Sequence, residues 1–273
     1  MKNPGNRRSP SSGRSPVESA RSPLIPGRPS ALLRGVVARD YAGFTDATSP
    51  KGGFVLPATT CVPVIVKIQD SALRPPVFVN GPHDRFTTVA GSCAPSYLEL
   101  WLAPLGAYRI LGLPLDKLPG QPVDLVDVLG TDGGRLGEQV RDLPTWQKRF
   151  ALVDSFLLER LDQGPRPSPE VSHALTVLEE TRGQQPIGQL AAETGWSHKH
   201  LITRFKRQVG MTPKTAARLI RFETVRRRLT RGSLGWARIA AEAGYADQSH
   251  LVREFRQFSG LTPTAFAEES KQG

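Results

Sequence analysis

The sequence predicts an α+β chain in which a β-rich amino-terminal part precedes an all-α carboxy-terminal part. Three observations indicate this order. Short apolar runs alternate with Pro and Gly between residues 34 and 143, a Pro-rich break follows at residues 163–169, and apolar residues then recur every three or four positions. The carboxy-terminal part also contains one segment that occurs twice.

Residues 1–33 are predicted to be a disordered basic tail. Six Pro, three Gly and seven Ser occupy more than half of the first 30 positions, with hardly any apolar residue before Leu24. Such a composition cannot bury enough apolar surface to offset the entropy lost on ordering. The predicted domains are therefore residues 34–162 and 170–273, with a linker at 163–169.

The amino-terminal domain is predicted to be a small β barrel or sandwich, because its apolar runs are short and regularly spaced. The predicted strands are residues 53–56, 62–68, 76–79, 86–89 and 97–102. Short helical segments follow at residues 104–114 and 123–130. A longer helix is predicted near residues 145–161, with one apolar face made of Trp146, Phe150, Val153, Leu157 and Leu161. This face is expected to pack on its own domain, and dimerisation is the alternative.

The repeated segment lies in the carboxy-terminal domain. Residues 190–197, LAAETGWS, return as IAAEAGYA at 239–246, a shift of 49. The shift then becomes 50, and it maps His200, Leu201, Phe205, Gly210 and Thr212-Pro213 onto His250, Leu251, Phe255, Gly260 and Thr262-Pro263. The sequence therefore contains a duplicated structural unit.

Each copy is predicted to form two helices joined by a tight turn. Gly195 and Gly244 supply the left-handed backbone that ends the first helix. Ser197 is placed to cap the second helix of the first copy. The predicted inner faces of the two second helices are Leu201, Phe205 and Val209, and Leu251, Phe255 and Phe258. This is a helix-turn-helix arrangement, and residues 213 to about 229 form the helix that joins the copies.

The outer faces of the second helices predict a nucleic-acid surface, because they combine cations with side chains that form hydrogen bonds. The expected base-reading residues are Lys199, Ile202, Thr203, Gln248, Ser249 and Arg253. The expected phosphate-binding residues are Lys206, Arg207 and Arg256. Arg253 is the strongest candidate, since a guanidinium group pairs with both O6 and N7 of guanine. The cationic run between residues 214 and 231 is expected to contact phosphate as well.

Residues 169–269 resemble the DNA-binding domain of AraC/XylS-type bacterial transcription regulators. The segments that carry the resemblance are IAAEAGY at 239–245, DQSHL at 247–251, Phe255-Arg256 and GLTP at 260–263. The β-rich amino-terminal domain is similar to the sensor halves of these regulators, which are often cupin-like. The resemblance implies a regulator whose partners are double-stranded DNA, RNA polymerase, a small-molecule effector and a second copy of the chain.

Charge and composition agree with this interpretation. The net charge of +11 is divided into +7 for residues 1–39, −2 for residues 40–168 and +6 for residues 169–273. The basic ends favour attraction to phosphate. No run of 18 apolar residues is present, and the basic start lacks an apolar signal segment, so we expect a cytoplasmic protein without a membrane partner.

Metal-dependent and enzymatic functions are not expected. His83 is the only histidine of the amino-terminal domain and is expected to be a polar surface residue, so no metal and no cofactor are predicted. His200 and His250 share one repeat position, which indicates a packing or capping role instead of catalysis. Two alternatives stay open: a DNA-targeted enzyme or thiol-based sensor that uses Cys61 or Cys93, and an architectural DNA-binding protein without a ligand.

Overall fold

The computed structural model describes residues 24–45, 54–69, 71–72, 74–89, 94–230 and 235–272. Within them the chain is α+β, as predicted. The strands are β1 (Leu24–Gly27), β2 (Tyr41–Phe44), β3 (Phe54–Leu56), β4 (Val62–Lys67), β5 (Val77–Asn80), β6 (Thr87–Val89), β7 (Tyr97–Leu102) and β8 (Pro122–Asp124). The helices of the amino-terminal domain are α1 (Pro104–Leu111), α2 (Leu125–Leu129), α3 (Thr131–Asp142) and α4 (Trp146–Gln163). Those of the carboxy-terminal domain are α5 (Pro169–Glu180), α6 (Ile187–Glu193), α7 (His198–Val209), α8 (Pro213–Leu229), α9 (Trp236–Glu242), α10 (Gln248–Ser259) and α11 (Pro263–Gln272).

Six strands form one antiparallel sheet in the order β1-β2-β7-β4-β5-β8, and β3 pairs with β6 in a separate ribbon. Successive side chains of a strand point to opposite faces. Val64 and Val66 of β4 therefore pack toward α1, α3 and α4, whereas Ile65 packs with Phe78 on the other face. The five predicted strands correspond to β3 through β7. The described strands form an open sheet in which β1 and β8 are the edges.

The described fold begins at Leu24, ahead of the predicted boundary at residue 33. β1 pairs with β2 from Leu24↔Phe44 to Gly27↔Tyr41, and Leu33 is buried in the domain core. Pro26 is compatible with this place because an edge strand leaves one side of its backbone unpaired. The reason for the difference is tertiary: β1 adds to a sheet formed by distant residues, which a local composition rule cannot anticipate. The rest of the predicted tail, residues 1–23, lies outside the described residues.

Helix α4 packs its apolar face on its own domain, as predicted. Phe150, Val153 and Leu157 are buried in the same core as the sheet. The ring of Phe150 stacks on Tyr41 with 5.8 Å between centroids. Tyr41 also donates its hydroxyl hydrogen to Asp154 Oδ1 at 2.8 Å. This packing joins the first two strands to the last helix of the domain.

The carboxy-terminal helices share one hydrophobic core, with α8 between the two copies of the repeat. Phe222 of α8 lies 4.9 Å from the ring of Phe255 and 5.5 Å from that of Phe258. Leu219 of the same helix is also buried. A short non-helical segment from Gly164 to Ser168 joins the two domains at the predicted linker. None of the helices in the described part of the chain is long and apolar enough to cross a membrane.

Candidate nucleic-acid interface

The two copies of the repeat have the same local structure. Gly195 and Gly244 adopt φ of 69° and 75°, the left-handed conformation that the turns require. The second helix of each copy is then capped at its first turn. The hydroxyl of Ser197 accepts a hydrogen bond from the backbone N–H of His200, and the carboxylate of Asp247 accepts one from His250. We call α7 and α10 the recognition helices, and α6–α7 and α9–α10 the first and second units.

The inner faces of the recognition helices are buried as predicted. Leu201, Phe205 and Val209 of α7 are completely covered. Leu251, Phe255 and Phe258 of α10 are covered to the same extent. Because these side chains hold each helix in one rotational setting, the opposite side of each helix must face solvent.

The predicted site residues lie on these outer sides. On α7, Lys199, Thr203, Lys206 and Arg207 are exposed, and Ile202 is half-buried at the flank. On α10, all four predicted residues, Gln248, Ser249, Arg253 and Arg256, are exposed. Thr203 uses its hydroxyl hydrogen within the helix, donating to the carbonyl oxygen of Lys199 at 2.9 Å. Its methyl group and oxygen lone pairs remain available for a partner.

The side chains of the paired histidines pack on aromatic rings, which agrees with the packing role among the two predicted alternatives. His200 meets Trp196 edge-on at 4.5 Å between ring centroids, and His250 meets Tyr245 edge-on at 5.3 Å. Trp196 and Tyr245 are themselves equivalent in the repeat. Each histidine therefore holds the turn of its unit against the start of the recognition helix.

Two of the buried polar residues that differ between the units, Gln208 and Glu254, were not singled out by the sequence analysis. Gln208 of α7 is 1% exposed, and Phe258 stands at the equivalent position of α10. Glu254 of α10 is 4% exposed, and Arg204 stands at the equivalent position of α7. A buried polar side chain needs hydrogen-bond partners, so these positions mark where each helix is anchored. In the sequence, the only sign of these two anchoring residues was that the two copies of the repeat differ at their positions.

The first recognition helix is anchored to the interdomain linker. Ser168, at the end of the linker, donates its backbone N–H to Gln208 Oε1 at 2.9 Å. Its hydroxyl oxygen accepts from Gln208 Nε2 at 2.8 Å and from Arg204 at 3.2 Å. The linker thus ends in direct contact with α7.

The second recognition helix is anchored to α8 instead. Glu254 accepts a hydrogen bond from Arg218 Nε at 2.7 Å, and Arg221 lies 3.9 Å from its other oxygen. Arg218 also donates to Gln257 at 2.9 Å. Burial beside this carboxylate raises the pKa of the Tyr245 hydroxyl well above its ordinary value. Charged and aromatic groups together therefore fix α10 on α8.

Most of the remaining arginines of α8 also make contacts inside the protein. Arg226 pairs with Glu223 through two hydrogen bonds of 2.8 and 2.7 Å, and Arg228 pairs with Glu242. Arg221 donates to the carbonyl oxygen of Gly183. The cationic run that was expected to contact phosphate is in large part an internal network. Lys214 and Arg227 are its exposed members in the described part of the run.

An apolar cavity lies between the sheet and the helices of the amino-terminal domain. Its lining side chains are all apolar, and they include Val64 and Leu100 of the sheet and Phe156 and Leu157 of α4. Among the residues that the structure describes, no three His, Cys, Asp or Glu side chains come together as metal ligands would.

The sequence interpretation of His83 as a simple surface residue is wrong. The side chain is half-buried, and its two ring nitrogens lie 3.1 Å from the carbonyl oxygens of Gly81 and Pro57. Its backbone also pairs with Thr59. His83 therefore links two loops of the amino-terminal domain, and nothing in its sequence neighbourhood indicated this contact.

The structure describes one of the two cysteines. Cys61 is mostly buried, and burial raises the pKa of its thiol above the ordinary value. A raised pKa lowers the fraction of thiolate, which is the reactive form. This disfavours Cys61 as a nucleophile or redox sensor. Cys93 lies outside the described residues.

The chain is similar to several known proteins. A family model described as "Helix-turn-helix domain" matches residues 190–269. The chain is 34% identical over 92 residues to "Uncharacterized HTH-type transcriptional regulator YbfI" of Bacillus subtilis (strain 168), which is 33% of either chain. It is 33% identical over 96 residues to "Putative AraC-like transcription regulator" of Streptomyces antibioticus, which is 35% of this chain and 32% of that protein. Residues 190–269 are an AraC-type helix-turn-helix domain.

The matches span about a third of the length of these two relatives. Among solved structures, ToxT from Vibrio cholerae O395 is similar with a TM-score of 0.42 and 10% identity. That likeness covers 94% of this chain and 100% of the ToxT chain.

Proposed function

We propose that this protein is a sequence-specific DNA-binding transcription regulator that reads a bipartite site with its two helix-turn-helix units. The observation that carries the proposal is the exposure of polar and cationic side chains on the outer faces of both recognition helices. A helix of this width fits the major groove of B-DNA, where base edges present a distinct pattern of donors and acceptors.

The base-reading roles follow from side-chain chemistry. Arg253 matches the two acceptors O6 and N7 of guanine, and Gln248 matches the donor and acceptor of adenine. On the first unit, Lys199 donates hydrogen bonds, and Ile202 and Thr203 offer methyl groups to the methyl group of thymine. Ser249 lies in the first turn of α10 and pairs with either kind of base edge. The two half-sites are therefore expected to differ in sequence.

Lys206, Arg207 and Arg256 are assigned to phosphates. They lie in the second half of each recognition helix, and all three are exposed. Cations that neutralise phosphates release bound counterions, so they strengthen binding to any sequence and make it salt-dependent. These contacts hold the helices in the grooves without contributing to the choice of base.

One chain carries both readers, so a monomer is sufficient for bipartite reading. Two recognition helices in successive major grooves lie about 34 Å apart, one turn of B-DNA. The amino-terminal domain is assigned to effector sensing or assembly of copies. RNA polymerase is the expected partner of the DNA-bound protein.

The proposal is tested by selecting bound sequences from a random pool of duplex DNA with the full chain. We expect two conserved half-sites, separated by about one helical turn, and tighter binding to the pair than to either half alone. A pool that shows no enrichment, while the protein still binds random DNA, would contradict sequence-specific reading. Enrichment of one half-site alone would contradict the bipartite part of the proposal.

A further inference from the structure

Two loops of the amino-terminal domain meet both units of the AraC-type domain. We call residues 57–59 and 81–86 the interdomain corner. Ala58 donates its backbone N–H to the carbonyl oxygen of Phe258 at 2.8 Å. Ala58 is also buried in the hydrophobic core of the AraC-type domain instead of the core of its own domain. The corner is therefore part of the packing around α10.

The corner touches the same position in both units. Gly210 and Gly260 follow the last residues of α7 and α10, both with left-handed φ, and they are equivalent in the repeat. A Cβ atom added to Gly210 would lie 2.2 Å from Cγ of Pro82. A Cβ atom added to Gly260 would lie 3.1 Å from the ring of Phe86. Pro82 and Phe86 thus press against the carboxy-terminal ends of the two recognition helices.

Hydrogen bonds join the two loops of the corner to each other and to the rest of the amino-terminal domain. Thr59 and His83 exchange two backbone hydrogen bonds of 2.9 and 3.1 Å, which join its two loops. Gly81 donates to the carbonyl oxygen of Pro119 at 2.7 Å, which ties the corner to the rest of the domain. The ring of His83 contacts carbonyl oxygens of both loops. A displacement of one loop would therefore break bonds in the other.

The geometry limits how far apart the helix ends can be. The four steps along the chain from Pro82 to Phe86 span at most about 14 Å when fully extended. Both recognition helices have twelve residues, so each is about 18 Å long. The corner therefore holds their carboxy-terminal ends together, while the base readers in their first halves stay exposed.

We propose that the interdomain corner positions the two recognition helices relative to each other, and so determines which spacing of half-sites the protein accepts. This rests on the proposed bipartite reading. The ion pair between Arg218 of α8 and Glu254 of α10 is one restraint between the units. The corner adds a second point of restraint at the other end of the recognition helices. Pro82 and Phe86 are positioning residues, since they act on the readers without touching DNA.

The test compares the full chain with the variant Pro82→Ala/Phe86→Ala on duplexes that carry both selected half-sites. The spacing between the half-sites is varied one base pair at a time. Each added base pair rotates one half-site by about 34° relative to the other. The control is Leu32→Ala, which trims a side chain that is 74% exposed in the same domain and is not part of the corner.

We expect the wild type and the control to lose about tenfold in affinity when the best spacing is changed by one base pair. The variant is expected to lose about threefold or less in affinity, because its recognition helices adapt to the altered spacing. Binding to a single half-site should be equal in all three proteins, which also shows that the AraC-type domain remains folded. If the double substitution lowers single-half-site binding, Phe86→Ala alone replaces it in the comparison.

The outcomes separate this inference from the proposed function. A variant whose affinity depends on spacing as steeply as that of the wild type would overturn the role of the corner and leave bipartite reading intact. A wild type that binds one half-site as tightly as two would overturn bipartite reading, and the inference with it.

Discussion

Gln208 and Ser168 exchange two hydrogen bonds, which join the first recognition helix to the end of the interdomain linker. The amide oxygen of Gln208 accepts from the Ser168 backbone at 2.9 Å, and its amide nitrogen donates to the Ser168 hydroxyl at 2.8 Å. Because Gln208 is buried, water cannot replace these bonds if the side chain is changed. The linker is therefore held against α7 by a specific contact.

Replacing Gln208 with Leu should lower the free energy of unfolding by about 1–3 kcal/mol, because the Ser168 N–H would lose its acceptor in a buried place. Urea denaturation measures the change. Gln163→Leu is the control, since Gln163 is exposed at the end of α4 and its substitution should change stability by less than about 0.5 kcal/mol. Equal effects of the two substitutions would show that the pair with Ser168 contributes nothing specific.

Glu254→Gln should also destabilise the AraC-type domain. The substitution removes the charge that faces Arg218 at 2.7 Å, and Arg218 is partly exposed, so we expect a loss of about 1–3 kcal/mol. Glu223→Gln provides the comparison, because the Glu223 carboxylate is much more exposed than that of Glu254 and its pair with Arg226 should contribute less than about 1 kcal/mol. Thermal unfolding of both variants measures the difference. A larger loss for Glu223→Gln would contradict the anchoring role of Glu254.

Arg253→Ala should weaken binding to the selected site by about 1–3 kcal/mol and relax discrimination at one base pair of the second half-site. Binding to random DNA should change much less. Fluorescence anisotropy with the selected duplex and with duplexes mutated at single positions measures both effects. If binding to the selected site and binding to random DNA weaken equally, Arg253 is a phosphate contact instead of a base reader.

Lys206→Ala should weaken binding to all DNA sequences alike. Loss of one phosphate contact is expected to lower the slope of log affinity against log salt by about 1. Titrations at several salt concentrations measure the slope for the variant and the wild type. The matched control is Lys148→Ala, which removes one exposed cation from α4 of the amino-terminal domain, far in the chain from the recognition helices. An unchanged slope for Lys206→Ala would remove this residue from the phosphate-binding set.

Cys61 should react slowly with thiol reagents in the native protein. Because its pKa is raised by burial, the thiolate fraction at pH 7 is below that of a free cysteine, and the rate should still be rising at pH values where a free thiol has levelled off. The variant Cys93→Ser isolates the reaction of Cys61, and the same variant in denaturant gives the reference rate. A native rate equal to or above the denatured rate would return the thiol-based sensor to consideration.

The duplicated unit was predictable because its determinants are local. Apolar spacing, a glycine at each turn and a polar cap before each recognition helix depend on residues within four positions of one another. The exposure of Lys199 and Arg253 then follows from helical geometry once the buried face is known. The five central apolar runs became strands for the same reason, since short β-branched segments between turn residues have few alternatives.

The long-range contacts were not predictable from these patterns. β1 is held by pairing with β2. The segment after β1 is held by Asp154, which accepts from the backbone N–H of Ser30 more than a hundred residues away. The arginines of α8 are suited to phosphate by composition, yet Glu223, Glu242 and Glu254 take several of them. The charge of a side chain alone does not determine which partner it contacts.

Sequence by itself determined the number of recognition helices, their boundaries and the side chains that each presents to solvent, because helix periodicity and capping act between near neighbours. Tertiary structure decided how these helices are held. The linker residue Ser168 holds α7, Arg218 of α8 holds α10, and Pro82 and Phe86 contact the carboxy-terminal ends of both. These contacts join residues far apart in the chain. Which of them form depends on how all the helices and strands pack together, and no short segment encodes that arrangement.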